Sequence, residues 1–274
     1  MKKILFPTDF SPTSLNAFSH AVAWAKQTQA ELITLHVYEL PIMDYTGMGT
    51  AYLELYDTVE LSQFEAYRAH IQDLQKELPC EDVEMRHILT DGELIHRILE
   101  VIDKENIDLV IMGTQGASGW KEFFGGSTTV KLMMNAPCWV MGIPKDYAFQ
   151  PIKNLGFATR LRPNDFIKLK ELVHWAKYWD ATIHCITIIN ENMPFNEVIW
   201  ADWQHLMRHE KVEFSLIHGD KVEASLREYR NTHGIDFVGV LHYAPTNWIN
   251  WFRNKTIEKI AFNAKLPVMA LRIE

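Results

Sequence analysis

The sequence predicts an α/β protein built from two tandem, doubly wound domains, with helices on both faces of a parallel sheet in each. Three observations lead there. The chain is written twice: residues 2–37 match 153–188 at an offset of 151, and a second block from Ile107-Asp108 to Val140-Met141 matches at an offset of 128. A repeat of that size means two similar domains rather than a solenoid. Within each half, short apolar runs alternate with segments of helical periodicity. Near Ile143-Pro144-Lys145-Asp146, proline and charge interrupt an apolar run, which sets the domains at 1–145 and 146–274.

The elements of the first half follow in order. Residues 4–6 are a short apolar strand. Ser11-Pro12 is a helix start, serine as cap and proline at the first helical position, and Leu15, Phe18, Val22 and Ala25 then recur at helical spacing. Residues 32–37 are a second strand. Phe64, Tyr67, Ile71, Leu74 and Leu78 mark a second helix, residues 83–89 a third strand, and Leu94, Ile95, Ile98, Leu99 and Ile102 a third helix. Residues 107–112 are a buried strand, 127–135 a short helix and 138–141 a last strand. Ligands of such sheets bind beyond the carboxyl ends of the strands, at the topological switch point.

Composition narrows the function. The 274 residues are 47% hydrophobic and 23% charged, normal for a globular chain with a real core. A net charge of -8 with no basic block argues against a general nucleic-acid role. No apolar run approaches the ~20 residues a membrane span needs, and the opening MKKILFPTDF turns polar too soon for a signal peptide. Cys80, Cys138 and Cys185 are scattered and odd in number, so reduced, partly buried thiols in a cytoplasmic protein are expected.

The densest signal is residues 113–128, GTQGASGWKEFFGGST, with the spacing G-x2-G-x9-G-S. Gly113 ends a buried strand, Gly116 permits a positive φ, and Gly126 and Ser127 open the next helix. Free N–H groups and the helix dipole favour an anion there, and the Ser127 and Thr128 hydroxyls add donors. The arrangement suits a phosphate chain; a glycine-rich connection without ligand is the other reading. The repeat acts as an internal control, because Gly113, Gly116, Gly126 and Ser127 become Leu241, Ala244, Asn254 and Lys255 in the second half. The fold itself therefore does not require the glycines. Trp120, Phe123 and Phe124 do recur, as Trp248, Trp251 and Phe252, and are read as packing residues.

On the opening KKILFPTDFS, the strand ELITLHV, the stretch IDLVIMGTQG and the G-x2-G-x9-G-S motif, the chain resembles the universal stress protein family in its tandem form. The resemblance covers nearly the whole length. It implies five parallel strands per domain in the order 3-2-1-4-5, an adenine nucleotide alpha hydrolase-like fold, and domains paired through their last strands. It also implies ATP binding, with Pro7 and Asp9 beside adenine and ribose and Val37 offering backbone hydrogen bonds to the base. Gly113, Gly116, Gly126, Ser127 and Thr128 would hold ribose and phosphates. Mg2+ is expected with ATP, because phosphate oxygens usually share it. Asp9 becomes Arg160 in the second half, implying a degenerate site there.

Other features carry less. The offsets differ by 23 residues, placed around ELPIMDYTGMGTAYLELYD at 39–57, either a lid over the base or a tolerated insertion. His205 and His209 sit four apart on an expected helix, but without a third ligand they read as a solvated pair. Lys121 reaches a phosphate or is simply solvated. There is no P-loop and no G-x-S-x-G elbow. The expected function is thus an ATP-binding stress-response module with one site and no catalysis; a weak ATPase or nucleotidyl-transfer enzyme and an empty assembly protein are the alternatives. Two homologous domains mimic a dimer within one chain, and pairing of two chains through last strands is the further expectation.

Overall fold

A computed structural model describes residues 1–9, 11–38, 49–114, 127–189, 195–220, 222–243 and 266–273. The first half contributes β1 (Lys3–Pro7), β2 (Glu31–Tyr38), β3 (Met85–Asp91), β4 (Leu109–Gly113) and β5 (Trp139–Ile143). The second contributes β6 (Asn154–Thr159), β7 (Thr182–Ile189), β8 (Val212–His218), β9 (Phe237–Tyr243) and β10 (Val268–Ile273). The helices described are α1 (Pro12–Thr28), α2 (Gly49–Glu77), α3 (Leu94–Glu105), α4 (Ser127–Asn135), α5 (Pro163–Ala176), α6 (Glu197–Leu206) and α7 (Val222–His233).

Among the described residues, ten strands form one sheet in the order β3-β2-β1-β4-β5-β10-β9-β6-β7-β8. From either outer edge inward, each half runs 3-2-1-4-5, as expected. Every pairing is parallel except β5 with β10. Helices cover both faces; right-handed crossovers put α1 and α2 on one face of the first half and α3 and α4 on the other.

The sequence repeat is also a repeat of register. Ile4 pairs with Leu109 in the first half, and their equivalents Leu155 and Phe237 pair in the second. Two aspartates repeat a clasp between strands. Asp108 Oδ2 accepts the Lys2 and Lys3 amides at 2.6 and 3.1 Å, and Asp236 Oδ2 accepts those of Lys153 and Asn154 at 2.6 and 2.8 Å.

The halves meet about a pseudo-twofold axis. In the antiparallel β5–β10 pair Met141 lies opposite Met269, its own repeat equivalent. Trp24 of α1 meets its equivalent Trp175 of α5 edge-on, with ring centroids 5.9 Å apart. Trp175 also packs on Trp139 at 3.8 Å, and Trp24 on Trp179 at 4.2 Å. Each residue touching its own counterpart is the signature of an isologous interface, here within one chain. The last strands are used up in this seam, which corrects the expectation that they remain exposed for pairing two chains.

The helix starts follow local chemistry. Ser11 caps α1, its hydroxyl accepting the Ser14 amide at 3.3 Å, with Pro12 following. Glu93 caps α3 through the amides of Ile95 and His96.

The second helix departs from expectation. Helix α2 runs 29 residues from Gly49, where α6 has 10, so most of the extra length of the first half is helix. Residues 39–48 lie outside the described residues. Tyr67, Ile71 and Leu74 are buried, but Phe64 is 50% exposed and Leu78 lies beyond the helix end. Strand β3 starts at Met85, because the Val83 amide is spent on a turn to Cys80 O. His209 lies past the end of α6, off the helix that carries His205, and both are exposed.

The tryptophan cluster supports a stability prediction. Trp24 of the first half is 1% exposed and packs on Trp175, Trp179 and Phe237 of the second. Trp24→Ala is expected to cost about 3–5 kcal/mol in urea unfolding; a loss below about 1 kcal/mol would show that the seam does not hold the halves together.

Candidate functional site

The switch point of the first half lies between the adjacent strands β1 and β4, with β2 on the other side of β1. The ladder of β1 with β2 ends at Pro7↔Leu35, and the Thr8 amide closes it on Leu35 O at 2.9 Å. Alternate residues of a strand send their amide and carbonyl to the same side. Val37, two residues beyond Leu35, therefore aims its backbone groups toward β1 but past its last ladder residue.

Asp9 sits in the turn from β1 to α1. Its Oδ1 accepts the Ser11 amide at 3.1 Å and the Ser14 hydroxyl at 2.9 Å, which fixes the half-buried carboxylate. Its other oxygen has no hydrogen-bond partner among the described residues. On the far side of β1, Gly113 ends β4 opposite Ile143. The Thr129 hydroxyl in the first turn of α4 donates to Gly113 O at 3.0 Å, tying that helix start to the strand end. Thr128 is half-buried in the same turn.

Pro7, Asp9, Val37, Gly113 and the backbone of Ser127 and Thr128 thus all belong to the carboxyl end of the first-half sheet. Gly116, Gly126, Lys121, Trp120, Phe123 and Phe124 lie outside the described residues, as do Trp248, Trp251 and Phe252. The N-terminus of α4 presents amides without intrahelical acceptors beside Gly113. A half-buried carboxylate, outward strand amides and a helix N-terminus together fit the edge of a base, a ribose and an anion.

Gly142 of β5 was not expected from the sequence. A Cβ there would lie 2.9 Å from Thr114 Cγ2 and 3.0 Å from both Thr129 Cγ2 and Met133 Cε. Its bareness lets α4 sit low enough for Thr129 to reach Gly113. The equivalent residue is Ala270, so only a comparison of the halves would have marked this glycine.

A second unexpected group is polar and lies under α2. His36 Nδ1 donates to Thr8 O at 2.9 Å; the carbonyl can only accept, so Nδ1 carries the proton. His70 of α2 pairs with the Thr8 hydroxyl at 3.4 Å, and Tyr67 OH bonds the Thr34 hydroxyl. Burial holds both His36 and His70 below the usual imidazole range; the neighbouring imidazole of His36 lowers His70 further, while Asp9 pulls both the other way. The only sequence signal was histidine in an otherwise apolar strand.

The second half has the same frame with a different end. Arg160 replaces Asp9, and the acid moves to Asp165, the equivalent of Ser14. Asp165 is fully buried, and its Oδ2 accepts from the Thr159 hydroxyl at 2.7 Å and the Arg160 and Arg162 amides at 3.2 Å. Burial raises its pKa.

The fold and this strand-end geometry define a tandem, doubly wound α/β protein whose halves differ at their ligand ends. Residues 1–144 match the model of the universal stress protein family, and the chain belongs to that family. A universal stress protein of Methanocaldococcus jannaschii is 30% identical over 145 residues, 53% of this chain and 82% of its own. One of Thermus aquaticus is 33% identical over 140 residues, 51% of this chain and 96% of its own. A solved universal stress protein from Archaeoglobus fulgidus matches the whole architecture with a TM-score of 0.75, covering 98% of each chain at 13% identity, a likeness of fold. Among the described residues no three potential ligands cluster as a metal site, and no helix is long and apolar enough to cross a membrane.

Two predictions follow from these groups. Gly142→Ala is expected to lower stability by about 1–3 kcal/mol, because a methyl overpacks the α4 contact; unchanged urea unfolding would show that the site tolerates it. The buried imidazoles of His20, His36, His184 and His242 are all lowered by burial, His20 to about 4. The unfolded chain takes up protons near pH 6.5 while the folded chain resists until lower pH, so stability falls as pH drops below about 6.5. Thermal melts between about pH 8 and pH 5 should show Tm falling over the lower half of that range; a flat or rising Tm would contradict it.

Proposed function

We propose that this protein is an ATP-binding regulatory module of the stress response, with one nucleotide site in its first half. Residues 1–145 form the nucleotide-binding domain and 146–274 a degenerate companion. The observation that carries this reading is the difference between two equivalent strand ends. In the first half a half-buried carboxylate, outward strand amides and a helix N-terminus stand together. In the second, Arg160 occupies the corresponding turn and the acid, Asp165, is buried in the first turn of α5.

The base lies against Val37 and Pro7, the ribose against Asp9, and the phosphates against Gly113, Gly116, Gly126, Ser127 and Thr128. The described part of this set fits such a ligand in donor chemistry and placement. Mg2+ accompanies the phosphates, whose charge it shares. The motif positions supply glycines and hydroxyls rather than a general base or a charge clamp, so we read a binding module rather than a catalyst. Family membership supports the stress-response reading.

Native mass spectrometry of the freshly purified chain is expected to show one adenine nucleotide per chain. ATP at 100 times its Kd should stabilise the protein by about 2.7 kcal/mol, and Gly126→Asp should abolish that shift. No bound nucleotide and no shift in excess ATP would remove the proposal; two nucleotides per chain would contradict the degenerate second site.

A further inference from the structure

The pseudo-twofold axis relates two grooves between the halves, and the chain itself fills one of them. After β5, residues 144–150 cross a groove between α1 and the start of β9. Asn16 Nδ2 donates to the carbonyls of Pro144, Lys145 and Tyr147 at 3.0, 3.3 and 2.8 Å. The Tyr147 hydroxyl donates to Asp236 O at 2.9 Å, and Gln150 Nε2 to Asp236 Oδ1 at 3.1 Å. His20 packs against the rings of Tyr147 and Phe149, with centroids 5.9 and 5.2 Å away.

The related groove lies between α5 and the start of β4, and it is open. It has a volume of about 660 Å3 and is lined by Asp108, Trp139, Ile167, Lys170, His174 and Trp175 among others. Asp108 repeats the amide clasp of Asp236, but its Oδ1, the counterpart of the oxygen that takes Gln150, has no hydrogen-bond partner among the described residues. Ile167 stands where Asn16 stands in the filled groove and is 50% exposed. Trp139 and Trp175, packed with their rings tilted at 42°, form its apolar floor.

We propose that this second groove docks a short aromatic peptide segment of another protein, one that lays its aromatic side chains on Ile167 and the tryptophan floor. The occupant's chemistry comes from the chain's own segment in the twofold-related position, which turns at Lys145-Asp146, the Tyr147 amide bonding Pro144 O at 3.2 Å, and then presents two aromatic residues. With Ile167 in place of the Asn16 amide clamp, apolar side-chain contact rather than backbone hydrogen bonding carries the affinity. The lining carries both signs, Lys170 together with Asp108 and Glu171, so apolar contact rather than charge selects the occupant. The inference does not depend on nucleotide binding.

The test titrates the full-length protein into a labelled, end-capped peptide of residues 144–150, Pro-Lys-Asp-Tyr-Ala-Phe-Gln, followed by fluorescence anisotropy. Saturable binding at one peptide per chain is expected. Ile167→Glu, at a position already half exposed and so compatible with the fold, should weaken it by about tenfold or more. Replacing both peptide aromatics with alanine should do the same. Circular dichroism and Tm establish that the variant is folded. Failure to saturate by ~1 mM protein, or equal affinity for the wild type and folded Ile167→Glu, overturns the proposal.

Discussion

The antiparallel pairing of β5 with β10 is the constraint on which the rest of the architecture depends. A parallel five-stranded sheet ends in a strand with a free edge, and a free edge invites uncontrolled pairing. Joining the two last strands about Met141 and Met269 satisfies both edges at once. It also brings Trp24 against Trp175 and leaves β3 and β8 as the outer strands. Two homologous halves are thereby locked into one sheet with an internal twofold axis.

That symmetry makes each difference between the halves informative. Both strand ends need something to hold the turn into the first helix. The first half does this with Asp9 from within the turn, leaving part of the carboxylate for other use. The second does it from the helix, with Asp165 buried beneath three donors. Moving one acid by five positions changes an end that presents a carboxylate into one that buries it. The same logic distinguishes the two grooves beside the seam, where Asn16 clamps a backbone and its counterpart Ile167 offers only apolar surface.

The long helix α2 adds a polar layer to the first half. Through Tyr67 and His70 it reaches Thr34 and Thr8, and His36 holds Thr8 from below. Thr8 precedes Asp9, so the docking of α2 and the geometry of the candidate site share one backbone turn. Buried imidazoles so placed are neutral at physiological pH because burial opposes their charge.

Much of the fold was legible in the sequence because it is written in local terms. Repeat offsets, the Ser11-Pro12 start and apolar runs of strand length report propensity and burial, and these positioned α1, α4 and the sheet strands to within a few residues. The ligand-end positions Pro7, Asp9, Val37 and Gly113 were legible through spacing and family resemblance, and Thr129, Gly142, His36 and His70 were not, because their roles are contacts between distant segments. The extent of α2 was hidden too, since residues 39–57 read as an insertion, lid or tolerated, whereas the structure has helix from Gly49 onward. By itself, then, the sequence determined two α/β halves, their parallel order and the loss of glycines from one of them. Only the tertiary structure decided which residues meet across the twofold axis and which of its two grooves is filled, because those outcomes depend on long-range packing that no local pattern encodes.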